Sequence, residues 1–422
     1  MKLKLTLVSC GMVVCVLFGF GGASAQDPVC AADDKNPQIL TCDHQVPHTS
    51  TVPANAGEVV NLSVRERVAS NRAPRKAVLM IHGVSVPVLP GFELKSDHYD
   101  WALWLAQAGG LDVFMLDFQG SGRSPRPKMD DPCNVPNDQQ QGILIPNPLS
   151  ATCDPSYKFQ LINSRSDWNE LDTVVDYIRN LRGVGKVALV SWSQGSVRVG
   201  PYAVQHPDKV ESLLLYAPIF NPAAPSGTGP DGFGPPASLP RPGTPMSLRT
   251  RDVLMGLWDS EIQVEIDAGC EAPVQDGIQD VVWSAIMDND PIGRTWGPPP
   301  AGAPAGSLPE GVMRVRTPFL WGWNPATAHK ITIPVLIIAG EFDTGAGGVQ
   351  KLRRLYDEVP HDQKMLFKVQ CAGHFMVWER QRSVLHHISK EWLTHGAVEG
   401  RTNGCFFVDT EGVVYPTECP QP

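Results

Sequence analysis

The sequence predicts an α/β protein in which a mostly parallel central sheet is covered by helices. Two patterns support this fold class: short, continuous apolar runs that are typical of strands buried on both faces, and segments with helical spacing between those runs. Because predicted strands and helices alternate, the strands should be parallel and joined by crossover helices. The buried strands are expected at residues 77–81, 113–116, 187–190, 213–216, 335–338 and 365–367.

Further elements flank these strands. Residues 59–68 alternate polar and apolar side chains and predict a strand, whereas the aromatic and leucine-rich stretch 97–108 predicts a helix. Residues 167–181 predict an amphipathic helix, and Asp167 and Glu170 can form a capping box in its first turn.

The alternation stops between about residues 221 and 330. This segment is rich in Pro and Gly and has helical stretches at 254–264 and 279–287. It also holds five of the eleven tryptophans, namely Trp258, Trp283, Trp296, Trp321 and Trp323. A disordered linker would not concentrate tryptophan, so the segment is predicted to be a folded cap inserted between two parts of a core, residues 26–220 and 331–422.

The C-terminal residues predict a β-hairpin with a structural role. The apolar stretches 405–408 and 413–415 flank the turn sequence DTEG. Cys405 and Cys419 stand where a disulfide would fix the ends of this hairpin.

Length and composition exclude several classes of protein. A chain of 422 residues with 42% hydrophobic and 19% charged residues has ample material for a core, so disorder as its main state is excluded. The formal net charge of −9 makes a nucleic-acid partner or an anionic membrane surface a poor match.

Residues 1–25 have the features of a signal peptide. Lys2 and Lys4 precede the apolar run 5–20, which is short for a bilayer span, and the small residues Ala23 and Ala25 frame a cleavage site. We therefore expect a mature chain that begins at Gln26, is secreted or periplasmic, and has no stable membrane anchor. An uncleaved membrane anchor is the weaker alternative.

Cysteine usage agrees with export. Without the leader, eight cysteines remain, and an even set in an exported chain indicates disulfides. Spacing suggests three bridges over short loops, which leaves one pair that is distant in sequence. The expected pairs are Cys30–Cys42, Cys133–Cys153, Cys405–Cys419 and Cys270–Cys371.

The run KVALVSWSQG at 186–195 is the most informative motif. A buried strand leads directly into a small-x-Ser-x-Gly turn and then a helix, the arrangement of a nucleophile elbow. The tight turn presents the Ser193 hydroxyl above the sheet edge, and it needs small neighbours. Ser191 and Ser196 are nearby alternatives, and we interpret both as packing or helix residues.

A serine nucleophile needs a base and an orienting carboxylate. Asp343 follows the strand 335–338, and Glu341 is its rival, more typical of a loop or capping residue. His374 follows the strand 365–367 and precedes a predicted helix that contains Trp378, Val384 and Ile388. His386 and His387 lie farther along that helix and are predicted to be surface or packing residues.

Two backbone N–H groups should stabilise the developing oxyanion. One is that of Gln194, the residue after the nucleophile, and the other is expected in the loop after strand 77–81, where we choose Val84. His82, in the same loop, is predicted to order the loop rather than to react.

With these motifs, the chain resembles the α/β-hydrolase superfamily. The resemblance covers residues 59–222 and 332–393 and includes the His82-Gly83 pair, the turn DFQGSGRS at 117–124, and the residues YA at 202–203 with HPDKV at 206–210. Gln119 stands where the family often has Arg, and Ser196 where it often has a second Gly. Ser193 at the elbow excludes the Asp nucleophile of dehalogenases and epoxide hydrolases.

The expected function is that of an exported serine hydrolase that cleaves carboxylic esters through an acyl-enzyme and needs no metal or organic cofactor. The cap tryptophans favour a small to medium apolar or aromatic ester. One alternative is an aminopeptidase similar to the proline-iminopeptidase and tripeptidyl-aminopeptidase relatives, with acidic cap residues binding the substrate's amino group. The acidic residues available are Asp259, Glu261, Glu265, Asp267 and Glu271. The other alternative is a non-catalytic binding protein on a hydrolase scaffold.

Overall fold

A computed structural model describes most of the chain after the predicted leader. The described residues are 27–71, 76–84, 86–227, 233, 240–304, 306–317, 322–345 and 349–419. The predicted signal peptide and Trp321 lie outside these ranges. Within them, no helix is long and apolar enough to cross a membrane.

The central element of the described residues is an eleven-stranded sheet whose middle is parallel, as the sequence predicts. The strands are β1 Val29–Ala32, β2 Ile39–Thr49, β3 Val59–Ala69, β4 Ala77–Ile81, β5 Asp112–Asp117, β6 Val187–Trp192, β7 Val210–Tyr216, β10 Val335–Gly340, β11 Lys364–Val369, β12 Gly404–Val408 and β13 Val414–Thr417. Their order in the sheet is β1-β2-β3-β5-β4-β6-β7-β10-β11-β12-β13. The pairs from β5 to β12 in that order are parallel, and the outer pairs are antiparallel.

Helices cover the sheet, and apolar side chains fill the space between the layers. The helices are α1 Val88–Phe92, α2 Trp101–Ala108, α3 Asn137–Gln139, α4 Ser164–Arg182, α5 Ser196–Gln205, α6 Arg251–Asp267, α7 Ile278–Asp288, α8 Pro325–Ala328, α9 Val349–Glu358 and α10 Arg382–His395. One large apolar cluster packs α2 and α10 against the sheet, and a second packs α4, α5 and α9 against it.

The predicted capping box of Asp167 and Glu170 is wrong. Helix α4 begins three residues earlier, and Asn163 and Ser166 cap it reciprocally. Asp167 and Glu170 are instead buried, and their carboxylates accept from Arg198 and Arg316 and from Gln119, respectively. Local spacing could not distinguish these uses, because a carboxylate in a first turn fits both a cap and a tertiary contact.

Other predicted boundaries shift by a few residues. Helix α2 begins at Trp101 rather than at residue 97, and its N-cap Asp100 accepts a hydrogen bond from Leu103 N. Trp378 lies in a separate turn of 3₁₀-helix, Met376–Trp378, ahead of α10. The N-terminal strands β1 and β2, which the sequence analysis did not predict, extend the antiparallel edge of the sheet.

The segment between β7 and β10 has the predicted helical stretches as α6 and α7. Its described residues add no strand to the large sheet, and β8 (Met246–Arg249) pairs with β9 (Met313–Arg316) in a separate antiparallel ribbon. α8, at the end of this segment, contacts α5 and α9 of the main body. The cap boundaries 221–330 remain a prediction.

The four predicted disulfides are all present. The C-terminal hairpin is also confirmed, as β12 and β13. In addition, β12 pairs in parallel with β11, so the hairpin continues the main sheet beyond the strand that precedes His374.

Candidate active site

Ser193 lies in a tight turn between β6 and α5. Its φ of 54° is in the left-handed region, which a non-glycine residue adopts only at a local cost. A Cβ at Gly195 would come within 2.8 Å of the Ile81 carbonyl oxygen and 3.0 Å of Ser191 Cβ. The small residues two positions before and after Ser193, Ser191 and Gly195, therefore let the turn pass against β4.

Asp343 and His374 are brought together because they follow adjacent parallel strands. β10 pairs with β11 up to Gly340 and Val369, so both loops leave the same sheet edge. A Cβ at Gly340 would come within 2.2 Å of the Ala372 carbonyl oxygen, which shows how closely the loops approach. Asp343 Oδ1 and His374 Nδ1 are 2.9 Å apart, and both residues are buried.

The surroundings of His374 favour its protonated form. Burial lowers its pKa, but the charge and hydrogen bond of Asp343, together with the charge of Glu261, outweigh burial and raise the pKa above its usual value. An imidazole with this environment can accept a proton and hold the positive charge that results.

One cavity of about 240 Å³ joins the predicted groups. Ser193, His374, Gln194 and Val84 all line it, and Asp343 lies behind His374. Gln194 and Val84, the two residues predicted to supply the oxyanion N–H groups, thus line the same cavity as Ser193. Half of the remaining lining residues are apolar, namely Val86, Trp192, Ile219, Leu254, Leu257 and Phe375.

A buried ion cluster fixes the loop that holds Val84. Arg198 Nη1 donates to the carbonyl oxygens of His82 and Gly83, at 2.9 and 3.2 Å. Asp167 accepts from Arg198 at 2.8 Å and from Arg316 at 2.9 Å. His82 is buried in this cluster, and burial together with the charge of Arg198 lowers its pKa well below the usual value, so it stays neutral.

Glu261 of α6 connects the loops of Asp343 and His374. Its Oε2 accepts from His374 N at 2.7 Å, and its Oε1 accepts from Thr344 N at 3.0 Å and Thr344 Oγ1 at 2.6 Å. The carbonyl oxygen of His374 accepts from Trp192 Nε1 at 3.1 Å and Tyr216 Oη at 2.8 Å. The backbone of His374 is therefore held on both sides.

Two more carboxyl groups, those of Glu265 and Glu379, lie close to Gly373 in the same loop. Glu379 accepts from Gly373 N at 2.9 Å and from Trp258 Nε1 at 3.1 Å. Glu265 is fully buried, and neither of its oxygens has a hydrogen-bond partner among the described residues. Burial and the charge of Glu261 raise the pKa of Glu265 to about 7, and burial raises that of Glu379 well above its usual value.

The alternative candidates for the nucleophile, the carboxylate and the base lie away from the cavity or make other contacts. Glu341 pairs with Lys368 at 3.2 Å and does not line the cavity. Ser196 Oγ donates to the Ser193 and Ile219 carbonyl oxygens, both at 2.8 Å. Ser191 is buried, and His386 stacks on Trp101 with ring centroids 5.9 Å apart.

A family model described as the alpha/beta hydrolase family matches residues 78–385. This chain belongs to the alpha/beta hydrolase family. No curated protein matches the chain. Similar solved structures include a meta-cleavage product hydrolase from Pseudomonas fluorescens, which is 14% identical with a TM-score of 0.47 and is covered over 97% of its length by 83% of this chain. A thermophilic esterase from Thermogutta terrifontis is 14% identical with a TM-score of 0.45 and the same two coverages.

Several residues of this hydrolase's site were not found by sequence analysis. Glu261 was noted there only as one of five acidic cap residues, and Arg249, another cavity residue, was not singled out. None of the four described tryptophans of the 221–330 segment lines the cavity. Trp258 and Trp323 are instead fully buried packing residues, so the cap tryptophans do not support an aromatic substrate.

Proposed function

We propose that this α/β-hydrolase is an exported serine hydrolase that cleaves carboxylic esters. Ser193 is the nucleophile, His374 the general base and acid, and Asp343 the residue that orients His374. The main support is one observation: a buried His374–Asp343 hydrogen bond of 2.9 Å lies at the same cavity as a serine on a strand–helix elbow.

In the first half-reaction, His374 Nε2 takes the proton of the Ser193 hydroxyl as Oγ attacks the ester carbonyl carbon. The N–H groups of Gln194 and Val84 donate to the resulting oxyanion. The carbon–oxygen bond to the alcohol then breaks, and His374 gives its proton to the leaving alcohol. Asp343 stays ionised and keeps the Nδ1–H tautomer in place.

In the second half-reaction, water replaces the alcohol. His374 takes a proton from this water as it attacks the acyl carbon, and the second tetrahedral intermediate releases the carboxylic acid. His374 returns the proton to Ser193 Oγ, which restores the enzyme.

Export is supported by the disulfides. Four bridges in one chain suit an oxidising compartment, and reducing cytosol would not maintain them. Together with the predicted leader at residues 1–25, they support a secreted or periplasmic enzyme.

Cavity size and lining support a small to medium ester. A volume of about 240 Å³ lies just below the range of about 300–1,000 Å³ that is typical of small-molecule sites. The aminopeptidase alternative has less support, because an amino-group site needs a free carboxylate. Among the five acidic cap residues, only Glu261 lines the cavity, and its oxygens already accept three hydrogen bonds.

The test is a comparison of Ser193→Ala with a matched serine variant. Ser193→Ala should lose turnover of p-nitrophenyl butyrate and labelling by a fluorophosphonate, with an unchanged melting temperature. Ser191→Ala removes a buried hydroxyl two residues away that has no partner among the described residues, and should keep both. Labelling at another serine, or faster cleavage of aminoacyl-p-nitroanilides than of esters, would overturn the proposal.

A further inference from the structure

A second feature of the cavity is an arginine at its wall. Arg249 is the last residue of β8, and burial alternates along that strand. Met246 and Leu248 are buried in an apolar cluster, so Ser247 and Arg249 face away from it. The next residue, Thr250, caps α6 by accepting from Val253 N, which fixes the chain direction at this point.

The guanidinium of Arg249 has no carboxylate partner among the described residues. Its neighbours along the chain and across the ribbon differ: Arg251 pairs with Asp280 at 2.6 Å, Arg314 with Asp290 at 2.6 Å and Arg316 with Asp167 at 2.9 Å. Of these four arginines, Arg249 is thus the one without a carboxylate partner within the described part of the chain.

A partly buried guanidinium without a partner lowers the stability of the fold, unless a ligand forms an ion pair with it. Burial lowers the pKa of Arg249, yet an arginine remains charged at any physiological pH. Glu261, the carboxylate that lines the same cavity, forms no ion pair with Arg249, and its oxygens accept hydrogen bonds from Thr344 and His374 N instead. The planar guanidinium is suited to a carboxylate, which it can bind with two parallel hydrogen bonds.

We propose that the substrate is an ester that carries a second, free carboxylate, and that Arg249 binds this carboxylate while Ser193 attacks the ester. This inference rests on the proposed ester hydrolysis. A monoester of a dicarboxylic acid and water would yield the dicarboxylic acid and an alcohol, so only the ester bond breaks and the bound carboxylate takes no part in the chemistry. Apolar walls such as Leu254 and Leu257 would cover the carbon chain between the two groups.

The experiment compares esters that differ only in one charge. Monoethyl esters of succinic, glutaric and adipic acid place the carboxylate on the acyl side, and 4-carboxyphenyl butyrate places it on the alcohol side. Each is paired with the analogue that has a carboxamide instead. Wild type should prefer the carboxylate in at least one pair. Arg249→Gln should lower kcat/KM for that carboxylate by about 10- to 100-fold, mainly through KM, and change the carboxamide less than about twofold.

Two further variants sharpen the result. Arg249→Lys keeps the charge without the planar fork and should be intermediate. Arg294→Gln removes an exposed cap cation that pairs with Asp288 and should match wild type on every ester. Equal losses for the charged and uncharged esters in Arg249→Gln, or a carboxylate preference that survives in it, would overturn the inference.

Different results would overturn the carboxylate site and the proposed ester hydrolysis. Turnover of neutral esters that depends on Ser193, with no preference for a carboxylate, overturns the inference alone. If no ester is turned over, calorimetric titration of Ser193→Ala with the same monoesters still decides it. Binding at least about tenfold tighter than in Ser193→Ala/Arg249→Gln supports a carboxylate site, whereas equal binding or no binding overturns it.

Discussion

Substitution of Glu261 by Gln tests whether helix α6 controls His374, the proposed base. A glutamine keeps the size of the side chain but has one acceptor oxygen instead of two. It can still accept from Thr344 or from His374 N, but its NH₂ group then faces the other N–H donor. At least one of the three hydrogen bonds is lost, those that remain no longer go to a charged group, and the negative charge near the imidazole disappears.

The geometry sets the size of the effect. A hydrogen bond to a charged group contributes about 1.5–3 kcal/mol, and a displacement of a catalytic group by about 1 Å can cost about 100-fold in rate. We expect kcat at pH 8.5 to fall by about 10- to 100-fold. Because Glu261 helps to raise the pKa of His374, the acid limb of the pH profile of kcat/KM should move to lower pH.

The assay is ester hydrolysis from pH 5 to 9 with wild type, Glu261→Gln and Asp259→Asn. Asp259 is exposed on the same helix and accepts from Gln279, and asparagine keeps that acceptor, so this control loses the same charge away from the base. A Glu261→Gln enzyme with an unshifted acid limb would refute the electrostatic part of the reasoning, and one with wild-type kcat would refute the positional part.

The remaining predictions concern the same region. In wild type, the acid limb of kcat/KM should lie above the usual histidine pKa of about 6.5, and a flat profile from pH 5 to 8 would contradict a raised His374. Since the pKa of Glu265 is raised from 4.5 to about 7, wild type should lose stability as pH rises from about 4.5 to about 7 and should change little above that. Glu265→Gln should therefore gain up to about 3 kcal/mol relative to wild type between pH 5 and 8 in urea unfolding, and a pH-independent difference would contradict this. Removing both cysteines of the Cys270–Cys371 bridge should destabilise the fold by about 4–5 kcal/mol in the chain-entropy model and lower kcat. Removing Cys405 and Cys419 instead should cost stability alone, and equal kcat in the two double variants would show that the first bridge is only structural.

The sequence could predict those parts of the site that local patterns encode. A buried strand that runs into a turn is visible in the residues themselves, and so Ser193, Asp343 and His374 could be found at the ends of β6, β10 and β11. Their order along the chain and the shared edge of parallel strands then brought them together. Cysteine spacing worked for the same reason, because three of the four bridges close short loops.

The residues that support the site could not be found in this way. Glu261 and Glu265 are four residues apart on α6, a spacing that equally fits a solvated helix face. Only docking of that helix on the loop of His374 buries them, and no local pattern records the docking. Arg249 poses the same problem, because a charged residue at a strand end is ordinarily exposed. The proposed role of Arg249 depends on which cavity β8 borders and on the absence of a carboxylate partner among the described residues.

Three separate connections tie α6 to the loop of the candidate base. Glu261 binds His374 N, Trp258 binds Glu379, which in turn accepts from Gly373 N, and Cys270 just beyond the helix is bonded to Cys371. A helix held in this way at its middle and its end cannot lift from the base without breaking buried hydrogen bonds. α6 therefore acts as part of the scaffold that orients His374. Any opening of the cavity that admits a substrate must come from segments other than this helix.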